Sequence, residues 1–246
     1  MSGHSKWSTI KHKKAAQDAK RGKAFDRLNK EIMVAARVGG ADPDSNPRLR
    51  TAIAKARQLN MPSDNIKRAI QKGLGELPGQ QIEEVTYEGY GPAGVAVFVE
   101  AMTDNKNRTV GEIRHVFSKH GGNLAASGSV SYLFRRRGMF VIEQGDEEAI
   151  LAATLDAGVE DVYSEDGNVV VLCDVSSFSD VEDALAKANI KTTVAELSMI
   201  PTTKVELEES DARKVLRLIE ALEENEDVQN VYANFEMSDA VLAAVG

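Results

Sequence analysis

Two regimes of hydrophobic and polar positions follow one another along the chain. Up to about residue 73 the apolar residues recur at helical spacing. At 100° per residue, Phe25, Leu28, Ile32 and Ala36 fall within an ~80° arc, which predicts a helix over residues 23–38 ended by Gly39-Gly40. Asn46-Pro47 reads as an N-cap followed by an N1 proline. It opens a second helix to about residue 59, striped by Leu49, Ala52, Ile53 and Ala56. Ser63 is expected to cap a third helix, with Ile66, Ala69 and Ile70 inward and Gly73 as its stop.

Past the Gly/Pro-rich stretch 73–79 the pattern changes to strand-like runs alternating with helical ones. Strands are expected near 84–88 and 95–103, a helix over 108–120 on Val110, Ile113 and Phe117, and a strand at 130–134. Next come a strand at 139–143, a helix at 147–157 stopped by Gly158, and a strand at 162–164. Asp166-Gly167 turns the chain into a strand at 169–173, followed by a helix at 180–188 capped by Ser179 and a strand at 193–198. This β-α-β-β-α-β order is the ferredoxin-like split βαβ. After Pro201, a strand at 204–207, a helix at 211–224 and a strand at 228–235 supply what the half unit at 94–134 lacks. The predicted fold class is α+β: an N-terminal three-helix domain followed by two ferredoxin-like α/β domains, one inserted in the other. The expected boundaries are 1–75, with a loose N-terminal tail; 79–136 plus 202–240, a discontinuous domain; and 137–201, the insert. Three domains in simple series would leave two half-sheets with open edges.

Charge sharpens this picture. The 246 residues carry a formal net charge of −8, but residues 1–75 hold 17 Lys/Arg against 6 Asp/Glu, while residues 138–246 hold 6 against 25. Such asymmetry fits a chain whose front end meets a polyanion; the other reading is a basic domain that neutralises its own acidic neighbour. In the tail, Lys6, Lys11, Lys13, Lys14, Lys20 and Arg21 are opposed only by Asp18. Trp7 could stack on an unpaired base or anchor the tail on a domain. On the first helix, Lys23, Arg27, Lys30 and Arg37 form a single-sign ridge opposite the apolar arc, and Arg48 and Arg50 follow on the second. All of these are candidate phosphate contacts. If the ridge faces solvent, changing its four residues to Gln should weaken binding and leave the melting temperature nearly unchanged. Lys106 and Arg108, at a strand-to-helix junction, could also receive a phosphate; alternatively Asp104 or Asn107 serves only as an N-cap.

No catalytic centre is predicted. Gly89-Tyr90-Gly91-Pro92-Ala93-Gly94 matches G-x-G-x-x-G, yet a strand rather than a helix follows it, so a strand-to-strand turn is expected instead of a dinucleotide site. The lone Cys173 ends an apolar strand, and no His/Cys set has metal-ligand spacing. No cofactor and no metal are expected. No apolar run reaches membrane-spanning length, so the expectation is a cytoplasmic monomer that does not act on membranes.

Several stretches resemble the YebC family, which includes the mitochondrial translational activator of cytochrome oxidase. They are Gly3-His4-Ser5-Lys6-Trp7, Asp18-Ala19-Lys20-Arg21-Gly22-Lys23, Asn46-Pro47-Arg48-Leu49-Arg50, Tyr87-Glu88-Gly89-Tyr90-Gly91-Pro92 and Thr103-Asp104-Asn105-Lys106-Asn107-Arg108-Thr109. The resemblance implies three domains and no catalytic centre. It further implies a bacterial member that acts either as a DNA-binding transcriptional regulator or as a ribosome-associated factor, bound to ribosomal RNA, that assists translation of proline-rich sequences.

Overall fold

The computed structural model describes residues 21–165 and 167–245. Helices α1 (Arg21–Gly39), α2 (Pro47–Gln58) and α3 (Ser63–Gly73) enclose a core of Ile32, Ala35, Leu49, Ala52, Ala56, Ile66 and Ala69, the residues singled out by helical periodicity together with their neighbours. Asn46 caps α2 as expected, its side chain accepting from the Leu49 amide at 3.1 Å. Ser63 is the first residue of α3 rather than its cap; Pro62 occupies that position and offers no side-chain acceptor.

Two four-stranded antiparallel sheets follow. The first has the order β3-β1-β2-β9, from β1 (Glu83–Tyr90), β2 (Ala96–Thr103), β3 (Asn123–Leu124) and β9 (Val228–Ala233). Helices α4 (Lys106–Lys119) and α7 (Glu209–Glu223) cover one of its faces through Ile113, Phe117, Val215, Leu218, Ile219 and Leu222. The second sheet has the order β5-β6-β4-β7, from β4 (Phe134–Glu143), β5 (Val159–Glu165), β6 (Asn168–Cys173) and β7 (Val194–Pro201), with α5 (Glu147–Thr154) and α6 (Phe178–Lys187) on one face. That order is the ferredoxin-like one. The first sheet reproduces it spatially if β2, β3, β1 and β9 take the roles of β4, β5, β6 and β7, so its connectivity is permuted. Strands β8 (Val205–Glu206) and β10 (Phe235–Glu236) form a small parallel pair. A closing helix, α8 (Asp239–Val245), which periodicity had not singled out, adds Val241, Leu242 and Val245 to the first core.

One expected strand is absent. Residues 131–133 form a 3₁₀ turn, and the strand begins at Phe134, so Arg135, Arg136 and Arg137 lie within β4, paired to Ile200, Met199 and Ser198 of β7. The reason is Glu88, 4% exposed, whose carboxylate accepts from the amides of Gly128, Val130 and Ser131 at 2.8, 2.7 and 2.8 Å. Amides committed to a side chain cannot join a ladder. Burial works against ionising Glu88, but these backbone bonds outweigh it and hold the carboxyl below its ordinary pKa. Its neighbour must be glycine: a Cβ on Gly89 would lie 2.6 Å from the Asn123 carbonyl oxygen and 2.7 Å from the Phe117 ring.

Candidate nucleic-acid interface

The ridge on α1 is covered in its middle: Arg27 and Lys30 are half-buried, and Lys23 and Arg37 at its two ends are exposed. A helix leaves its last carbonyls without intrahelical partners and carries partial negative charge there. Just past the C-terminus of α7, the turn 224–227 presents such groups to α1. Lys23 donates to the Glu224 carbonyl at 3.1 Å, Arg27 to the Glu223 carbonyl, and Lys30 to the Glu226 carbonyl at 3.0 Å. Arg37, at the far end, donates to the Ile82 carbonyl. The expectation that these four are solvated therefore fails for Arg27 and Lys30, whereas Lys23 and Arg37 stay exposed while each donates to a carbonyl; the spacing of Lys23, Arg27 and Lys30 lets these three meet the carbonyls at the end of another domain's helix. Val34 and Met33 pack beside them against Ile82 and Met102.

Asp227 is the centre of this junction. Its side chain is 5% exposed and takes Lys30 at 2.7 Å, Arg108 at 2.9 Å and the Thr109 hydroxyl at 2.7 Å. Burial raises the cost of ionising it, yet the hydrogen bonds from Lys30, Arg108 and Thr109 and the Lys30 charge prevail and bring its pKa to about 2. Arg108 also meets Asp104 at 2.8 Å, and the hydrogen bonds it donates to both carboxylates raise its own pKa. Lys106 pairs with Glu83 at 2.6 Å. The loop 103–109 is thus engaged internally rather than arranged as an open phosphate receptor, and the cap of α4 is Asn105, which accepts from the Arg108 amide at 3.1 Å. Arg48 is likewise spoken for, between Glu31 at 2.7 Å and Glu84 at 2.6 Å; its own burial lowers its pKa, but the bonds to both carboxylates prevail and raise it.

Of the remaining candidates, Lys6, Trp7, Lys11, Lys13, Lys14, Lys20 and the side chain of Arg21 lie outside the described residues. Arg50 is exposed and makes only long contacts, 3.2 and 3.4 Å, to the carbonyls of Pro43 and Asp44. Beside it lies a group of cations that is not among the expected contacts. Lys55 and Arg57 on α2 and Lys67, Arg68 and Lys72 on α3 are all exposed, and none makes an ion pair among the described residues. Asp64 is the only acidic residue on the two helices. The signal was present in the sequence as the near absence of acidic residues between 47 and 73.

Burial, with Glu160 and Asp174 nearby, pushes the Cys173 thiol up to about 11, and no His/Cys/Asp/Glu group among the described residues could hold a metal ion. Residues 91–94 turn β1 into the antiparallel β2, as the strand following them required. No described helix is long and apolar enough to cross a membrane.

Residues 5–76 match the family description "TACO1/YebC protein N-terminal domain", and residues 82–235 match "TACO1/YebC second and third domain". A relative from Dictyoglomus turgidum named "Probable transcriptional regulatory protein" is 52% identical over the full length of both chains, and one of the same name from Shewanella oneidensis is 55% identical, again over both full lengths. A crystal structure of a conserved hypothetical protein from Aquifex aeolicus superimposes with a TM-score of 0.82 at 49% identity, covering 90% of this chain and 93% of that one.

Proposed function

Because the chain belongs to the TACO1/YebC family, we infer that it regulates gene expression by binding nucleic acid and performs no catalysis. The observation that carries this is the predominantly basic outer face of α2 and α3, where Arg50, Lys55, Arg57, Lys67, Arg68 and Lys72 stand exposed with Asp64 as the one acidic residue of the two helices. Cations that outnumber carboxylates on a helical pair suit sugar–phosphate chains, whose neutralisation releases counterions. The basic segment 1–20 extends the same chemistry. Relatives named as transcriptional regulators favour DNA as the polyanion. A second reading, ribosomal RNA within a ribosome, draws support from residues 138–246, whose net charge of −19 suits basic protein neighbours rather than a bare nucleic acid.

Binding to duplex DNA measured against salt tests the first point. With ~5 phosphates engaged, log K should fall with log salt at a slope of about −4.5, and a salt-independent affinity would refute it. Competition between duplex DNA and structured RNA, with co-sedimentation on ribosomes, separates the two readings.

A further inference from the structure

The second face of the β4–β7 sheet carries no described helix, and strand alternation shows what it offers. Its cluster of Met139, Val141, Val170 and Val194, with Tyr163, Leu172 and Ile200 against it, is drawn from strands alone. The register places Tyr163, Val170, Val141 and Val194 side by side in one cross-strand row. The adjacent row reads Asp161, Leu172, Met139, Glu196, so two apolar side chains are flanked at both edges by carboxylates. On the other side of the apolar row stand Glu165, Asn168 and Glu143. A hollow of about 330 Å³ opens at one edge, between Asp161, Tyr163, Leu172, Ile200 and Lys204. This is an apolar strip with an acidic rim. Met139, Val141 and Val170 are only 1%, 0% and 2% exposed, although one face of an antiparallel sheet can stand open to water.

We propose that this face is the docking site of the chain's own segment 1–20, with Trp7 seated on the apolar strip and its neighbouring lysines against the carboxylate rim. Charge is complementary: residues 134–201 hold 14 Asp/Glu against 5 Lys/Arg, whereas residues 1–20 hold 5 Lys against Asp18 alone. The segment has the required anchor, since Trp7 joins a large apolar surface to an indole N–H that can reach a rim acceptor. It also has the reach. Twenty residues extended span up to ~66 Å, more than the roughly 45 Å diameter of a compact chain of this length. Segment 1–20 is then held by the acidic sheet whenever no stronger polyanion competes for its lysines. The inference concerns the protein free of nucleic acid and stands apart from the proposed function.

Trp7 is the single tryptophan of the chain, so its fluorescence reports docking directly. In nuclease-treated full-length protein its emission should lie at shorter wavelength than in a free peptide of residues 1–20. Its acrylamide quenching constant should be lower by about threefold, as for an aromatic ring held against a protein surface. The double variant Asp161→Lys/Glu196→Lys should restore peptide-like quenching with an unchanged melting temperature. So should Lys6→Glu/Lys11→Glu, which leaves the sheet untouched and serves if the rim variant does not fold. Peptide-like emission in the unmodified protein would overturn the proposal. So would shielding that survives both variants, which would place Trp7 elsewhere, or shielding lost on dilution, which would assign the sheet to a second copy's segment.

Discussion

Asp227→Asn isolates the junction between the helical domain and the rest of the chain. The substitution keeps shape and volume but removes the charge to which Lys30, Arg108 and Thr109 donate. The folded carboxyl has a pKa of about 2 against an ordinary 3.8. At 1.36 kcal/mol per unit, charge-selective stabilisation is then about 2.5 kcal/mol at neutral pH. The folded value is depressed, so the contribution is complete above the unfolded pKa and fades as pH falls from about 4 toward 2. Urea unfolding followed by circular dichroism at pH 7, 5, 3 and 2.5 should give the variant a deficit of about 2–3 kcal/mol at pH 7 and 5 that shrinks toward zero at the acid end. Other carboxylates also titrate in this range, but the difference between the two proteins cancels them. A deficit that stays constant with pH, or one below ~0.5 kcal/mol at pH 7, would refute the assignment of Asp227 as the charged centre of the junction.

Replacing Lys23, Arg27, Lys30 and Arg37 together by Gln should now lower the melting temperature, by ~6–12 °C for a loss of about 3 kcal/mol in a chain of this size; calorimetry checks this, and an unchanged transition would mean the ridge contacts contribute nothing. Replacing Lys55, Arg57, Lys67, Arg68 and Lys72 by Gln should do the opposite: the melting temperature stays within ~2 °C while the salt slope of duplex binding shrinks by about 0.9 for each cation in contact. Glu88→Gln leaves at least one of three amides without an acceptor, so a loss of about 2–3 kcal/mol is expected, and hydrogen exchange at Gly128, Val130 and Ser131 should accelerate before that of β2. Because burial is outweighed by backbone bonds that depress the Glu88 pKa, its stabilisation is present above the ordinary carboxylate pKa and lost as pH falls below it.

Periodicity made the helical domain legible because its core is local: Ile32, Leu49, Ala52 and Ile66 declare themselves by spacing within one helix each. It also announced the single-sign ridge on α1, where Lys23, Arg27, Lys30 and Arg37 share an ~80° arc that contains no carboxylate. What covers the ridge could not be read, for a physical reason. The acceptors are chiefly backbone carbonyls of residues 223, 224 and 226, roughly two hundred positions away, and every residue has a carbonyl. The one carboxylate involved, Asp227, is one of 38 acidic residues. Arg135–Arg137 misled in the other direction. The expected boundary between 136 and 137 falls inside this run, yet alternation lets a single strand send Arg136 to Glu100 and Arg137 to Glu160 and Asp174. The split βαβ order at 139–198 was readable because its turns carry Gly signals. The permuted order of the first sheet was not, since β1 precedes the unit it completes.

The two faces of the helical domain put its cations to different uses, and salt should tell them apart. Screening acts on exposed charges over a Debye length of about 8 Å at physiological ionic strength and far less on pairs withdrawn from solvent. Lys30, whose side chain is 19% exposed, and Asp227, at 5%, belong to the second kind. Lys55, Arg57, Lys67, Arg68 and Lys72 belong to the first. Raising salt from 50 to 200 mM should therefore release bound duplex by about 10²–10³-fold if five phosphates are engaged. The melting temperature of the free protein should move by no more than ~2 °C, because the junction is not sustained by screened charge. A melting temperature that falls in step with affinity would show that both faces are surface electrostatics, and the orientation of α1 on the α7 terminus would then be set by the apolar contact of Val34 with Ile82 and Met102 rather than by the ridge.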